Sequence, residues 1–196
     1  MEQVIFKLNK ANFIFTFRIL LGILFITLIT ESCASKTPLI IQAVLSGSIE
    51  NLKFELEKKH CQINATDKLG LTGLMWAINI CNNEMAMLLL EAGADSRHLD
   101  KEGQTGLMYA VLSSNCKLNK GLISRICSDS GVVDIESHSG YTALGLAIME
   151  GKVDAVRLLL ENRANPKYRN RHGQTLMDIA LEKPNAEVIA VLTQSF

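Results

Sequence analysis

The side chains that could bind a metal or a cofactor are spread along the whole chain. The four histidines, His60, His98, His138 and His172, include no pair at the close spacing with which one helix holds a metal ion. They lie before or within stretches that are typical of turns. We therefore expect solvated turn histidines and a protein without a metal or a cofactor.

Carboxylates and nucleophiles form no catalytic pattern either. Asp67 and Asp100 lie 33 residues apart, which indicates a repeated turn and not an acid–base pair. No serine or cysteine has the surroundings of a nucleophile, and no glycine-rich phosphate loop follows a predicted strand. We expect no enzymatic activity.

The balance of charge excludes one class of partner. The chain has 196 residues, of which 20 are basic and 20 acidic, so their charges cancel. No summed positive field is left to hold a phosphate backbone, and we exclude nucleic acid as a partner. With 48% apolar residues and only 3 prolines, the chain can form one folded domain with a sizeable core.

The first 36 residues have the composition of an export signal. Three basic residues precede the uncharged apolar run Ile19 to Thr30, and the small residues Ser32 to Ser35 follow soon after it. This order is typical of a secretory signal peptide. The run is shorter than the roughly 20 residues that span a bilayer, so we predict a signal peptide at 1–36; a retained membrane anchor is the alternative.

Two processing routes compete near Cys33. A conventional cut would follow Ala34. Alternatively, the segment resembles a bacterial lipoprotein signal in which Cys33 becomes the lipidated first residue, although Thr30 and Glu31 replace the leucine-like and small residues usual there. We favour lipidation, which would attach the protein stably to a membrane. On this resemblance, Ala34 implies export to the periplasm and attachment to the outer membrane.

Residues 37–196 contain an internal repeat. Glycine stands at positions 70, 103, 140 and 173, at intervals of 33, 37 and 33 residues. A threonine and an alanine follow each glycine at fixed distances, and a second apolar block with helical spacing comes after them. The repeating unit is therefore a turn followed by two helices. The two further columns are Thr72, Thr105, Thr142 and Thr175, and Ala77, Ala110, Ala147 and Ala180.

Each column has a physical role in such a unit. Glycine permits the backbone conformation of a tight turn. Threonine stands where the first helix needs an N-cap for an unpaired amide. Alanine keeps that helix thin, so that neighbouring units stack closely.

The unit resembles the ankyrin repeat, whose period is about 33 residues and whose first helix opens with T-P-L-H-x-A. A looser first copy begins at Thr37-Pro38-Leu39. The resemblance implies an all-α ankyrin-repeat solenoid over 37–196. Because only Pro38 keeps the proline and no unit keeps the histidine, we expect a less stable stack than a consensus one. The five predicted units cover about 37–66, 67–99, 100–136, 137–169 and 170–196.

The third unit is four residues longer than its neighbours. The extra residues belong either to 113–121 or to 128–133. Insertions in repeat arrays often lie on the binding face, but a longer surface loop is also tolerated at little cost. Both interpretations stay open.

Four cysteines follow Cys33. Cys61, Cys81 and Cys116 lie in or near connections between helices, while Cys127 falls in a predicted helix. Only Cys81 and Cys116 could approach the Cα separation of about 4.4–6.8 Å that a disulfide needs. We expect unreactive or buried thiols, with that bridge as the alternative.

The resemblance also implies a surface for a protein partner, because repeat stacks bind through their turn tips and first helices. The partner-facing positions flank the turn glycine and the end of the first helix. Two aromatic residues nearby are anchor candidates or, alternatively, part of the core. The positions are Lys68, Leu69, Leu71, Trp76, Asn79, Ile80, Lys101, Glu102, Gln104, Tyr109, Leu112, Ser113, His138, Ser139, Tyr141, Met149, Glu150, Arg171, His172 and Gln174.

Export and repeats together resemble small ankyrin proteins of the bacterial envelope. That resemblance implies either immunity against a secreted antibacterial toxin, such as a lipase sent into the periplasm, or assistance to a periplasmic enzyme such as catalase. Immunity is favoured, because a lipid would hold an inhibitor where the toxin arrives. A host-directed effector is a further alternative, and we expect a monomer when no partner is bound.

Overall fold

A computed structural model of the chain describes residues 37–113, 118–129 and 131–195, and this part contains ten helices in five antiparallel pairs. The predicted all-α solenoid is confirmed. The pairs are α1 (Leu39–Leu45) with α2 (Ile49–Leu56), α3 (Gly73–Asn79) with α4 (Asn83–Glu91), α5 (Gly106–Leu112) with α6 (Lys120–Cys127), α7 (Ala143–Met149) with α8 (Val153–Glu161), and α9 (Leu176–Glu182) with α10 (Ala186–Thr193).

The predicted threonine caps begin four of the first helices. The hydroxyl oxygen of Thr72, Thr105, Thr142 or Thr175 accepts a hydrogen bond from the backbone N–H three residues later, at 3.1–3.3 Å. In α9 the carboxylate of Asp178 in turn accepts a hydrogen bond from the backbone N–H of Thr175, at 2.8 Å. Both bonds satisfy amides that the first helical turn leaves unpaired.

The five pairs stack in chain order. The first helices α1, α3, α5, α7 and α9 pack one against the next, while α4 packs on α6 and α8 on α10. Ala77 and Ala147 are fully buried between first helices, as their column predicts. Leu89 and Leu159 are buried in the matching second helices. The core is therefore one continuous layer between the two rows of helices.

The four extra residues of the third unit lie between its two helices. The two N-caps of a unit are ten residues apart from Thr72 to Asn82 and from Thr142 to Lys152, but fourteen from Thr105 to Asn119. From Asn119 onward the spacing is regular again. This places the insertion in 113–119, and 128–133 is excluded.

The predictions for the N-terminal segment fall outside the described residues. These are the signal peptide at 1–36 and the lipidation of Cys33. Pro38–Phe196 forms a compact unit by itself. Among the described residues, no helix has both the length and the apolarity needed to cross a membrane.

The cysteines differ in part from expectation. Cys61 and Cys127 carry free thiols, as expected, and burial raises the pKa of the Cys127 thiol to about 11. Cys81 is not an unreactive thiol, since it is disulfide-bonded. Its predicted partner, Cys116, lies outside the described residues.

Candidate protein-binding surface

Four turns with the same hydrogen bonds form one edge of the stack. In each turn a backbone N–H donates to the carbonyl oxygen four residues later, as from Asp67 to Leu71 and from Asp100 to Gln104, both at 3.0 Å. The side chain of the first residue then accepts backbone N–H bonds from within the turn. We call the turns 67–71, 100–104, 137–141 and 170–174 the tip row.

Neighbouring members of the tip row are bonded to each other. The Lys101 N–H donates to the Leu69 carbonyl at 3.1 Å, and the His138 N–H donates to the Glu102 carbonyl at 3.0 Å. The Arg171 guanidinium donates to the Ser137 carbonyl at 2.9 Å. The tips are therefore held in fixed register, although they lack the histidine of the family pattern.

A cluster of polar side chains holds the last two tips together. The Arg171 Nε donates to Glu136 Oε1 at 2.6 Å, and the Tyr168 hydroxyl donates to the other Glu136 oxygen. Burial disfavours the charged carboxylate, but these hydrogen bonds outweigh that effect and hold the pKa of Glu136 below its usual range.

The two aromatic anchor candidates form hydrogen bonds with the tip row. The Trp76 Nε1–H donates to Asp67 Oδ2 at 2.8 Å, and the Tyr109 hydroxyl donates to Asp100 Oδ2 at 2.6 Å. Both rings are half-buried and pack against the core. Burial and the bond to Asp100 raise the pKa of Tyr109 well above its usual range. Each aromatic residue therefore connects a tip to the first helix that follows it through a hydrogen bond. Contact of either ring with a partner protein stays a prediction.

Most of the predicted partner-binding positions are accessible. Leu69 is 46% exposed and Ile80 39% exposed, whereas Leu71 is only 5% exposed. Leu71 is therefore part of the core, and its place on the surface was wrong. The other exposed positions are Lys68, Asn79, Lys101, Glu102, His138, Ser139, Glu150, Arg171 and His172. The half-buried ones are Trp76, Gln104, Tyr109, Leu112, Ser113, Tyr141, Met149 and Gln174.

The accessible positions form two rows. The bonded tips precede the first helices and make one row, and the far ends of the first helices make the other, because those helices pack side by side. We call the two rows together the strip. Along the helix ends the strip carries Ile80, Leu112 and Met149. Leu45, which the sequence argument left out, is 39% exposed and ends α1, as Leu112 ends α5 and Met149 ends α7. The repeat spacing of the helices would have found it.

A lysine holds the helix end beside the insertion. The Lys152 Nζ donates to the Val111 carbonyl at 2.6 Å and to the Ser113 carbonyl at 2.9 Å, which end α5. Burial lowers the pKa of Lys152 from its usual value, and nearby Glu150 partly offsets this. The ammonium thereby satisfies carbonyls that the end of the helix leaves unpaired.

The described side chains provide no site for a metal ion. Across 37–113, 118–129 and 131–195, no group of three histidine, cysteine or acidic side chains is close enough to hold one. His138 and His172 lie in tips and His98 lies two residues before one, while His60 lies between α2 and the first tip. The Nε2 of His98 is 3.1 Å from the Gly70 carbonyl oxygen.

Comparison with known sequences agrees with this architecture. The sequence model of a family described as ankyrin repeats (3 copies) matches residues 40–130 and 120–195. Relatives include a tyrosine-protein kinase of Hydra vulgaris, 28% identical over 81% of this chain, and the B-cell lymphoma 3 protein homolog of Mus musculus, 31% identical over 52%. A putative ankyrin repeat protein of fowlpox virus is 27% identical over 59%. The chain covers 19%, 23% and 26% of these three proteins, respectively.

Proposed function

The chain belongs to the ankyrin-repeat family, a generally non-catalytic family of protein-binding modules, and from this premise we propose that it is an immunity protein of the bacterial envelope. In this proposal it binds a secreted antibacterial toxin, such as a lipase directed to the periplasm, and neutralises it. The observation that carries the proposal is the accessible strip of tips and helix ends, which has a fixed register.

The chemistry of the strip supports a protein partner with apolar and acidic groups. Ile80, Leu112 and Met149 provide apolar contacts along the helix ends. The tips add the cation of Lys101, whereas the Arg171 guanidinium is already paired with Glu136 at 2.6 Å. A partner that inserts apolar side chains and presents carboxylates to the tips fits both halves of the strip.

Two features support export. A signal-like segment occupies residues 1–36. Cys81 is disulfide-bonded, and stable disulfides are typical of oxidising compartments outside the cytosol. We therefore propose that the protein is exported to the periplasm and attached to the outer membrane through a lipid on Cys33.

Metabolic labelling with a fatty acid tests the lipid. We expect label on the full-length protein and none on the Cys33→Ala variant, because Cys33 is the cysteine that stands three residues after the apolar run. Cys127→Ala is the matched control and should keep the label, since its free thiol lies far along the chain on α6. Unlabelled wild-type protein would refute membrane attachment and would leave the strip unaffected.

A growth-rescue assay tests immunity. The protein encoded by the gene next to this one is expressed in the periplasm of a test strain, where a toxin would stop growth. Co-expression of the full-length chain is expected to restore growth. Ile80→Glu should lower affinity for that product by roughly 30-fold or more in titration calorimetry, as for an interface hot spot. Ser124→Glu, also exposed but on second helix α6, is the control and should bind normally.

The outcomes of this assay separate the proposals. A toxic neighbour that the chain does not bind would exclude immunity against it. A catalase-like neighbour that the chain binds through Ile80 would replace immunity by the accessory role. Equal losses in Ile80→Glu and Ser124→Glu would mean that the strip is not the binding surface.

A further inference from the structure

The outer face of the first helix pair carries exposed apolar side chains. Leu39 is 59% exposed and Phe54 is 64% exposed, and Leu45 adds a third exposed apolar side chain to this pair. Beside this face, Pro38, Leu39 and Cys61 help to line a cavity of about 230 Å³. Exposed apolar groups of this size on one pair require an explanation.

Leu39 and Phe54 occupy positions that, in the later helix pairs of the stack, face the preceding pair. Leu39 is the first residue of α1, and Gly73 is the first residue of α3. Pro38, which the sequence pattern aligned with Gly73, instead stands at the N-cap, where the later units have threonine. A Cβ placed on Gly73 would lie 3.5 Å from Ile40 in the preceding pair, and one on Gly106 would lie 3.0 Å from Ile78. Leu39 therefore occupies a stacking position for which no described helix precedes it.

The position of Phe54 follows the same rule. It is the sixth residue of α2, and Arg125 is the sixth residue of α6. Arg125 reaches back and donates to the Leu90 carbonyl of the preceding pair at 3.2 Å. Leu158, at the same position of α8, is buried. Phe54 and Leu39 thus form a stacking face without a described neighbour, which we call the N-terminal face.

The other end of the described stack differs. The exposed residues of α10 are Ala186, Glu187, Ala190 and Thr193, which are polar or small, as expected for the terminal cap of a repeat array. Leu181 of α9 is the exposed large apolar residue there, at 58%. A second copy stacking head to tail would therefore meet a mainly polar end.

The distance to the lipidation site favours a different occupant. Leu39 follows Cys33 by six residues, and six extended residues reach about 20 Å at most. With helix pairs about 10 Å apart, the fifth pair lies roughly 40 Å from the first. A lipid on Cys33 would therefore keep the N-terminal face, and not the terminal cap, close to the membrane.

The charges around the N-terminal face decide what kind of membrane contact is expected. Lys53, Lys58 and Lys59 are balanced by Glu50, Glu55 and Glu57. The Lys58 ammonium lies 4.8 Å from the centre of the Phe54 ring and 2.6 Å from Glu55 Oε1. A lysine stem over an aromatic ring can reach the headgroups while the ring enters the apolar region. Because the charges cancel, attraction should come from apolar burial.

We propose that Leu39 and Phe54 dock the N-terminal face onto the lipid surface that carries Cys33. The proposal rests on the lipidation of Cys33 proposed above. Docking would orient the stack with its tips and helix ends directed along the membrane, accessible to an incoming protein. The lipid provides the attachment, and the N-terminal face sets the orientation.

Depth-dependent quenching tests the docking without relying on cellular lipidation. Protein comprising 33–196 is ligated through its N-terminal Cys33 to a lipid in vesicles of zwitterionic phospholipid, some of it brominated. Selectivity comes from the neighbouring amine and thiol that only an N-terminal cysteine has. Phe54→Trp and Leu181→Trp are compared, since both positions are similarly exposed and both variants retain Trp76.

We expect brominated lipid to quench the Phe54→Trp variant, whose ring should lie about 5–10 Å inside the headgroup boundary, and to leave Leu181→Trp unchanged. Without the lipid tether, Phe54→Ser should weaken vesicle binding roughly tenfold, and salt should have little effect. Equal quenching of the two variants, or none, would overturn the docking. A soluble dimer that Phe54→Ser dissociates would also overturn it, because a second copy would then cover the face.

These results are separable from the lipidation test. If fatty-acid labelling fails but quenching occurs, the N-terminal face binds lipid and the proposed lipidation of Cys33 is wrong. If labelling succeeds and quenching fails, the anchor stands and the docking is wrong.

Discussion

Replacing Gly103 by alanine is expected to destabilise the stack far more than the same change at Gly173. Both residues close a turn of the tip row, and both have a positive φ, +72° and +78°. A Cβ on Gly103 would lie 2.7 Å from the backbone nitrogen of His138 and 2.6 Å from its ring. A Cβ on Gly173 would meet no atom within 4 Å. Comparing the two variants therefore separates the free-energy cost of a positive φ from the cost of the steric clash with His138.

The expected losses differ by at least about 1–2 kcal/mol. The left-handed backbone alone costs an alanine about 1–2 kcal/mol, which is the whole effect predicted for Gly173→Ala. Gly103→Ala should lose at least about 3 kcal/mol, because the His138 backbone is fixed by its bond to the Glu102 carbonyl and overpacking adds its own cost. The free energy of unfolding, from urea denaturation followed by circular dichroism, measures both.

A double variant separates the two contacts that the added Cβ would make with His138. Adding His138→Ala to Gly103→Ala removes the ring contact but leaves the contact with the backbone nitrogen, so only part of the stability should return. Equal losses in Gly103→Ala and Gly173→Ala would show that the close approach of neighbouring tips does not contribute to stability. Full recovery with His138→Ala would assign the clash to the ring alone.

The local features of the fold could be predicted from the sequence because they depend on neighbours in the chain. The caps of Thr72 and Thr142 need only the next turn of helix, and the positive φ of Gly70 and Gly140 needs only the turn itself. The repeat then fixed the stacking, since each unit has the same faces. The lost family histidine predicted a weak turn, yet Asp67 supplies replacement bonds within the turn.

The features that sequence reasoning missed depend on how each turn folds against the helix that follows it. The bond from Trp76 to Asp67 joins residues nine apart, and the same spacing recurs from Tyr109 to Asp100. That repeated pair was a usable signal. In contrast, Leu69 and Leu71 both flank Gly70, and only the folded turn shows that the first faces solvent and the second the core.

The location of the insertion also needed the structure. Both candidate segments follow a helix directly and contain serine, glycine and other residues typical of loops, so composition does not separate them. The N-cap of α6 at Asn119 decides between them, and Lys152 from the next unit completes the helix end that precedes the insertion. The position of the strip can be inferred from the repeat. Which of its apolar side chains are exposed, and that Leu39 and Phe54 are exposed on the N-terminal face, depends on whether another helix pair packs against each position.

Removing the carboxylate of Asp100 is expected to be the most damaging polar change in the tip row. This side chain is 8% exposed and accepts three hydrogen bonds, from the backbone N–H groups of Glu102 and Gln104 at 2.9 and 2.8 Å and from the Tyr109 hydroxyl at 2.6 Å. Asp100→Ala leaves these donors without that partner. We expect a loss of about 3 kcal/mol in the free energy of unfolding, because hydrogen bonds to a charged acceptor contribute more than neutral ones.

Tyr109→Phe separates the contribution of the tyrosine hydroxyl bond from that of the backbone N–H bonds to Asp100. It removes only the hydroxyl bond and should cost about 1.5 kcal/mol, while Lys101→Ala, exposed beside Asp100, should cost less than about 0.5 kcal/mol. The double variant of Asp100→Ala and Tyr109→Phe should lose less than the sum of the single losses, since one bond is counted twice. If Asp100→Ala cost no more than Tyr109→Phe, the backbone bonds would contribute nothing, and the fixed register of the tips would need another cause. Partner affinity measured on Tyr109→Phe then tests the anchor role separately, because this variant keeps the ring and the turn.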